Sequence, residues 1–117
     1  MGTANKFNKG RIFNYELTDE HTFISLKELF EKDGETAIYK VRGVYINTKG
    51  NYGDEAVAIT DEYLVNLPKH LVETVKEIML DDEAVEEINT GKFGFVITSY
   101  IPKNDVTVRY SVKWVNI

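Results

Sequence analysis

Across residues 38–114 the hydrophobic period changes twice, from two to about 3.6 and back to two, and few folds accommodate that order. Ile38, Tyr39, Val41, Val44, Tyr45 and Ile46 open the region with β-branched and aromatic residues. Gly43 stands among them, where a missing side chain marks a bulge or a sharp bend. A turn-rich stretch with Gly50, Asn51 and Gly53 leads into a second strand over residues 55–60, where Val57 and Ile59 alternate with Ala56 and Ala58. Asp61 and Glu62 make a turn into a third strand over residues 63–67. The period then becomes helical. Leu71, Val72, Val75, Ile78 and Met79 share a face, and Pro68 stands near the helix start, where its missing amide costs nothing. Asp81 or Asp82 is placed to cap a further helical stretch with Ala84, Val85 and Ile88, closed by Asn89, Thr90 and Gly91. Alternation returns in Phe93, Phe95 and Ile97 against Gly94, Val96 and Thr98. It continues, after a turn over residues 102–105, in Val106, Val108, Tyr110, Val112 and Trp114 against Thr107, Arg109, Ser111 and Lys113.

Three strands, a helix and two strands is the order of a five-stranded OB barrel, whose helix after the third strand plugs one end. Closing such a sheet also removes exposed strand edges. Ahead of it, residues 23–34 read as an N-terminal helix. Ser25 can cap it with Glu28 three residues on, a capping box that satisfies the end amides reciprocally. Leu26, Leu29 and Phe30 share one face, and Gly34 sits where a left-handed residue ends helices. The expectation is a mainly β fold with helices: one OB-fold-like domain over residues 23–117, preceded by a partly ordered arm over residues 1–22. Residues 13–17 read as a strand or as part of that arm. An open α+β sheet built from the same elements is the rival architecture.

A length of 117 residues fits one domain. With no cysteine, neither a disulfide framework nor a thiolate metal site is available. The polar start of the chain lacks the apolar core of a secretory signal, and no apolar run approaches the length of a membrane span. A cytoplasmic protein with no membrane partner is expected. Catalysis finds little to work with. His21 and His70 are the only histidines, and neither stands in a pattern that pairs a nucleophile with an orienting acid. Acid pairs such as Asp81 and Asp82 are adjacent rather than convergent, no calcium or zinc pattern occurs, and Gly50 and Gly53 precede no phosphate-loop lysine. The chain reads as a binding protein needing no cofactor.

The net charge of −5 conceals a segregation. Lys6, Lys9 and Arg11 at the start, and Lys40, Arg42 and Lys49 in and after the first strand, occur with no acid among them. Lys92, Lys103, Arg109 and Lys113 of the last two strands face Asp105 alone. Acids concentrate in the helices and in the second and third strands. Proteins that hold single strands combine a basic groove with aromatic platforms. Lys40 and Arg42 share one face of the first strand and Tyr39 and Tyr45 the other, while Arg109, Ser111 and Lys113 face away from the apolar side of the last. If strands one and five pair in the barrel, these positive strips lie together. Tyr52 in the first loop, Tyr100 and Lys103 would extend the path. The candidate nucleic-acid-binding set is therefore Lys40, Arg42, Tyr45, Lys49, Tyr52, Tyr100, Lys103, Arg109 and Lys113.

Several runs carry a resemblance: residues 41–49 (VRGVYINTK), 57–60 (VAIT), 64–68 (LVNLP) and 110–114 (YSVKW). They resemble small OB-fold single-stranded DNA-binding proteins of bacteriophages and of mobile elements of Gram-positive bacteria. The resemblance implies a role in coating DNA, or RNA, exposed during replication and recombination, as a homodimer, alongside host or phage replication proteins. A competing expectation comes from Glu73, Glu77, Asp81, Asp82, Glu83, Glu86 and Glu87, opposed within their span by Lys76 alone. Such a block could dock on a basic groove and imitate nucleic acid, as in a regulator or inhibitor of a host DNA-handling enzyme.

Overall fold

The computed structural model describes Phe13, residues 21–48 and residues 53–117. Lys6, Lys9, Arg11, Lys49, Tyr52 and the remainder of the expected strand at 13–17 lie outside the described residues. The elements in chain order are β1 (Thr22–Ser25), α1 (Leu26–Asp33), β2 (Ile38–Lys40), β3 (Gly43–Asn47), β4 (Glu55–Ile59) and β5 (Tyr63–Asn66). A 3-10 turn (Lys69–Leu71) then leads to α2 (Val72–Leu80), α3 (Asp82–Asn89), β6 (Phe93–Tyr100) and β7 (Arg109–Asn116). The chain is thus mainly β, in two sheets with three helices among the described residues.

The long first strand expected over residues 38–48 is two strands. Val41 N donates to Phe93 O at 2.9 Å on one side, and Arg42 N to Ile59 O at 2.7 Å on the other. The chain changes sheet between these two amides. β2 pairs antiparallel with β6, and β3 pairs antiparallel with β4. Gly43 marks the bend as expected: a Cβ there would stand 3.3 Å from both Phe13 and Ile59 side chains.

One sheet runs β1-β5-β4-β3 and the other β2-β6-β7. The expected pairing of the first and last strands is therefore corrected: β6 lies between β2 and β7. No closed barrel forms among the described residues. The free edge of β5 is taken by β1, which pairs with it in parallel from Thr22 opposite Tyr63 to Ser25 opposite Asn66. α1 then packs on β7, with the Phe30 and Tyr110 rings 5.3 Å apart.

Residues 23–25, expected as part of the helical segment, belong instead to β1. Thr22, Phe23 and Ile24 are β-branched or aromatic, and a sheet edge was available to them. The helix begins only after Ser25, whose hydroxyl oxygen accepts from Glu28 N at 3.2 Å. The capping box is half made. The Glu28 carboxylate meets the Ser25 hydroxyl at 3.3 Å rather than the Ser25 amide. Gly34 ends the helix at φ 82, a conformation open to glycine. Asp81 caps α3 through Ala84 N at 3.1 Å, as one of the two expected residues.

The core lies between the two sheets. Val44, Ala56, Ala58 and Val65 line it from one side and Phe95 and Ile97 from the other. Leu26 and Leu29 of α1, Val75 and Ile78 of α2, and Ile88 of α3 close it. A smaller cluster of Val57, Ile59 and Leu64, with Tyr45 against it, lies on the opposite face of the four-stranded sheet. Among the described residues no helix is long and apolar enough to cross a membrane.

Candidate nucleic-acid interface

The register of the three-stranded sheet decides which side chains share a face. Tyr39, Phe95 and Trp114 lie in one cross-strand row, and all three belong to the core. Side chains alternate along a strand, so the neighbouring rows point outward. One row holds Lys40, Gly94 and Val115, and the next holds Ile38, Val96 and Lys113. Beyond them come Thr98 opposite Ser111 and Tyr100 opposite Arg109. The sheet therefore gathers Lys40, Tyr100, Arg109 and Lys113 on its outer face. Two interstrand spacings and one two-residue step separate Lys40 from Lys113, roughly 12 Å between Cα atoms.

Lys103 stands at the end of the β6–β7 hairpin. Asp105 N donates to Pro102 O at 3.0 Å, and Asn104 takes a left-handed φ of 68, which asparagine tolerates. Asp105 then organises the start of β7. Its carboxylate accepts from Val106 N at 2.7 Å, from Thr107 N at 3.0 Å and from Arg109 Nη2 at 3.0 Å. The Thr107 amide, then the Arg109 guanidinium, then the Val106 amide hold this carboxyl below the usual carboxylate range. Tyr100, Ile101, Val106 and Val108 expose apolar surface along the same hairpin.

Three of the nine expected site residues stand apart or outside. Lys49 and Tyr52 lie outside the described residues. Tyr45 is on the other sheet, packed with Val57, Ile59 and Leu64, and burial pushes its phenol above the usual range. Arg42 lies beside Lys40 and is ion-paired, its Nε 2.7 Å from Asp61 Oδ1. A Cβ on Gly91 would come within 3.7 Å of Lys40 Nζ and 3.8 Å of Arg42 Nη1, so both cations rest at the C-terminal end of α3. The carbonyls ending a helix carry partial negative charge and favour cations there.

Two contacts escaped sequence reasoning because they join distant segments. His70 Nε2 lies 3.0 Å from Ser111 Oγ, so the 3-10 turn adds a histidine to the outer face of β7. Lys32 Nζ donates to Tyr63 OH at 2.7 Å and lies 5.0 Å from that ring's centroid. The bond to Tyr63 is the first cause that raises the Lys32 ammonium above its ordinary value. Beside this pair, Tyr39 OH donates to Asp33 Oδ2 at 2.6 Å. Burial first, and that carboxylate second, push the Tyr39 phenol well above the tyrosine range.

The exposed acids of α2 and α3, including Glu73, Glu77, Asp82, Glu83 and Glu86, belong to helices whose buried sides face the core. Lys76 pairs with Asp54 at 3.5 Å and Glu73 at 3.7 Å. Among the described residues no three His, Cys, Asp or Glu side chains are placed to hold a metal ion. Comparisons with known protein families, curated proteins and solved structures found no match.

Proposed function

We propose that the protein binds single-stranded nucleic acid, DNA foremost, on the outer face of the three-stranded sheet, as a module without catalysis. The observation that carries this reading is the register that puts Lys40, Lys113, Arg109 and Tyr100 on one face. Lysines there meet phosphates, and the exposed Tyr100 ring offers a base a surface on which to stack. The buried sides of the acidic helices face the core, and the outward rows of the sheet carry Lys40, Arg109 and Lys113 with no acid among them. On the finer fold, we read β2 and β3 together as the bent first strand of an OB-fold-like barrel. β4, β5, β6 and β7 follow in order, with β1 and α1 filling the seam. The replication and recombination setting, and the homodimeric state, follow from the resemblance to phage single-strand binders.

His70 with Ser111 reads as a polar brace, since catalysis would need a group orienting the other ring nitrogen and a site for the developing oxyanion. The acidic block of α2 and α3 has only its charge to favour a protein partner, so that reading ranks second.

The test is fluorescence anisotropy with a thymidine oligonucleotide of about twelve nucleotides. Neutralising one phosphate on a single strand contributes about −0.7 to the slope of log K against log salt. Lys40, Lys103 and Lys113 together give a slope of about −2, so a fourfold rise in salt weakens binding about 20-fold. The double variant Lys40→Glu, Lys113→Glu brings the slope to about −0.7 or less. Absence of binding at low salt, or a variant that binds like wild type, rejects the proposal.

A further inference from the structure

A groove of about 300 Å³ opens between β2, the β4–β5 turn and the end of α1. Lys32, Asp33, Ile38, Lys40, Glu62 and Tyr63 are among the residues that line it. Ile38 and Lys40 also belong to the outer sheet face, so a strand lying there passes the mouth of the groove. We propose that the groove takes one unstacked guanine base from that strand, an inference that rests on the single-strand reading above.

The lining favours the edge of a base over a phosphate. Asp33, Asp61 and Glu62 bring carboxylates, which repel a phosphate and accept hydrogen bonds from N–H groups. Lys32 and Lys40 bring donors beside them. Alternate residues of an antiparallel strand point their backbone groups to opposite sides. Val41 N turns toward β6, so Ile38 and Lys40 turn their N–H and C=O groups away from it and toward the groove. Tyr63 gives one wall a flat ring held by Lys32, and Ile38, 61% exposed, gives the other wall aliphatic surface.

Guanine matches this set best. Its N1–H and N2–H donors stand side by side, a pair that one carboxylate accepts in bidentate fashion, and its O6 acceptor lies next to them for a lysine. Thymine presents a lone N–H between two carbonyl oxygens, which carboxylates oppose. Glu62, at the exposed β4–β5 turn, is the carboxylate assigned to the guanine edge.

The experiment compares two oligonucleotides of about twelve nucleotides, one all thymidine and one carrying a single central guanosine, at one salt concentration. Companion probes carry a central adenosine or cytidine. The guanosine probe binds between about 5- and 100-fold tighter than the thymidine probe, the discrimination of one bidentate base contact. Glu62→Ala brings the two within about twofold, while thymidine affinity stays level or rises because a negative charge has gone. Lys113→Glu weakens both probes alike. Equal affinities in the wild type overturn the groove assignment and leave the single-strand reading in place. A preference that survives Glu62→Ala, or one shared equally by adenosine or cytidine, does the same. Failure of every probe to bind overturns both.

Discussion

Replacing Gly94 by alanine tests how closely β2 crosses β6. A Cβ at Gly94 would stand 2.6 Å from the Tyr39 carbonyl oxygen and 2.6 Å from Ile117 Cδ1. The Ile117 side chain is 53% exposed and can move aside. The Tyr39 carbonyl cannot, because Tyr39 is paired with Phe95 in the ladder and its ring packs 5.4 Å from Phe95. Accommodating the methyl means separating the strands at the point where the three-stranded sheet joins the core. Overpacking of this kind costs about 2 kcal/mol. With about 2.1 cal/mol/K of unfolding entropy per residue, this chain carries roughly 0.25 kcal/mol/K, so the cost lowers Tm by about 8 °C. Thermal unfolding followed by circular dichroism reads it directly. The double variant Gly94→Ala, Ile117→Ala separates the two contacts: relief of the side-chain clash alone leaves Tm low. A single variant melting within about 2 °C of wild type, or a double variant restored to wild-type Tm, refutes the reasoning.

Ser25→Ala removes the acceptor for Glu28 N and costs about 1 kcal/mol in a chemical denaturation midpoint; an unchanged midpoint would mean that pairing of β1 with β5 alone fixes the start of α1. Asp105 has a folded pKa below its unfolded value, so its contribution to stability is present above the ordinary carboxylate range and is lost as pH falls through the folded pKa. Denaturation midpoints from pH 6 down to about pH 2 accordingly fall less for Asp105→Asn than for wild type, and parallel curves would contradict the hydrogen bonds drawn to Thr107 and Val106. On titration to alkaline pH, Tyr39 and Tyr45 ionise after the ordinary tyrosines in ultraviolet difference spectra, and Tyr39→Phe removes the latest-titrating component.

Local rules carried much of the fold. The switch from period two to helical period located α2, the pair Asp81 and Asp82 marked the start of α3, which Asp81 caps, and Gly34 marked the end of α1. Alternation assigned Phe95 and Ile97 to the core and Lys113 to the outer face correctly, because a pleat fixes the side each residue takes. What failed was partner choice, which depends on segments far apart in sequence. The Ser25 and Glu28 cap signal places the start of α1 correctly, yet nothing local declares that the edge of β5 is open to the residues just ahead of it. The same gap misplaced Tyr45, whose strand crosses to the other sheet at Val41 and Arg42. Lys40 and Lys113 do share a face, although through β6 rather than side by side. The pairings Lys32 with Tyr63 and His70 with Ser111 span 31 and 41 residues, and no spacing rule reaches so far.

In the binding mode proposed above, one sheet face, and not the helices, receives the nucleic acid. Amide chemical shifts of the isotope-labelled protein, recorded while a thymidine oligonucleotide is added, locate that contact directly. The account predicts the largest changes at Lys40, Thr98, Tyr100, Lys103, Arg109 and Lys113, with the amides of α2 and α3 undisturbed. Changes confined to α2 and α3, or to the face that holds Tyr45 and Val57, would contradict it, as would a spectrum unmoved by excess oligonucleotide at low salt.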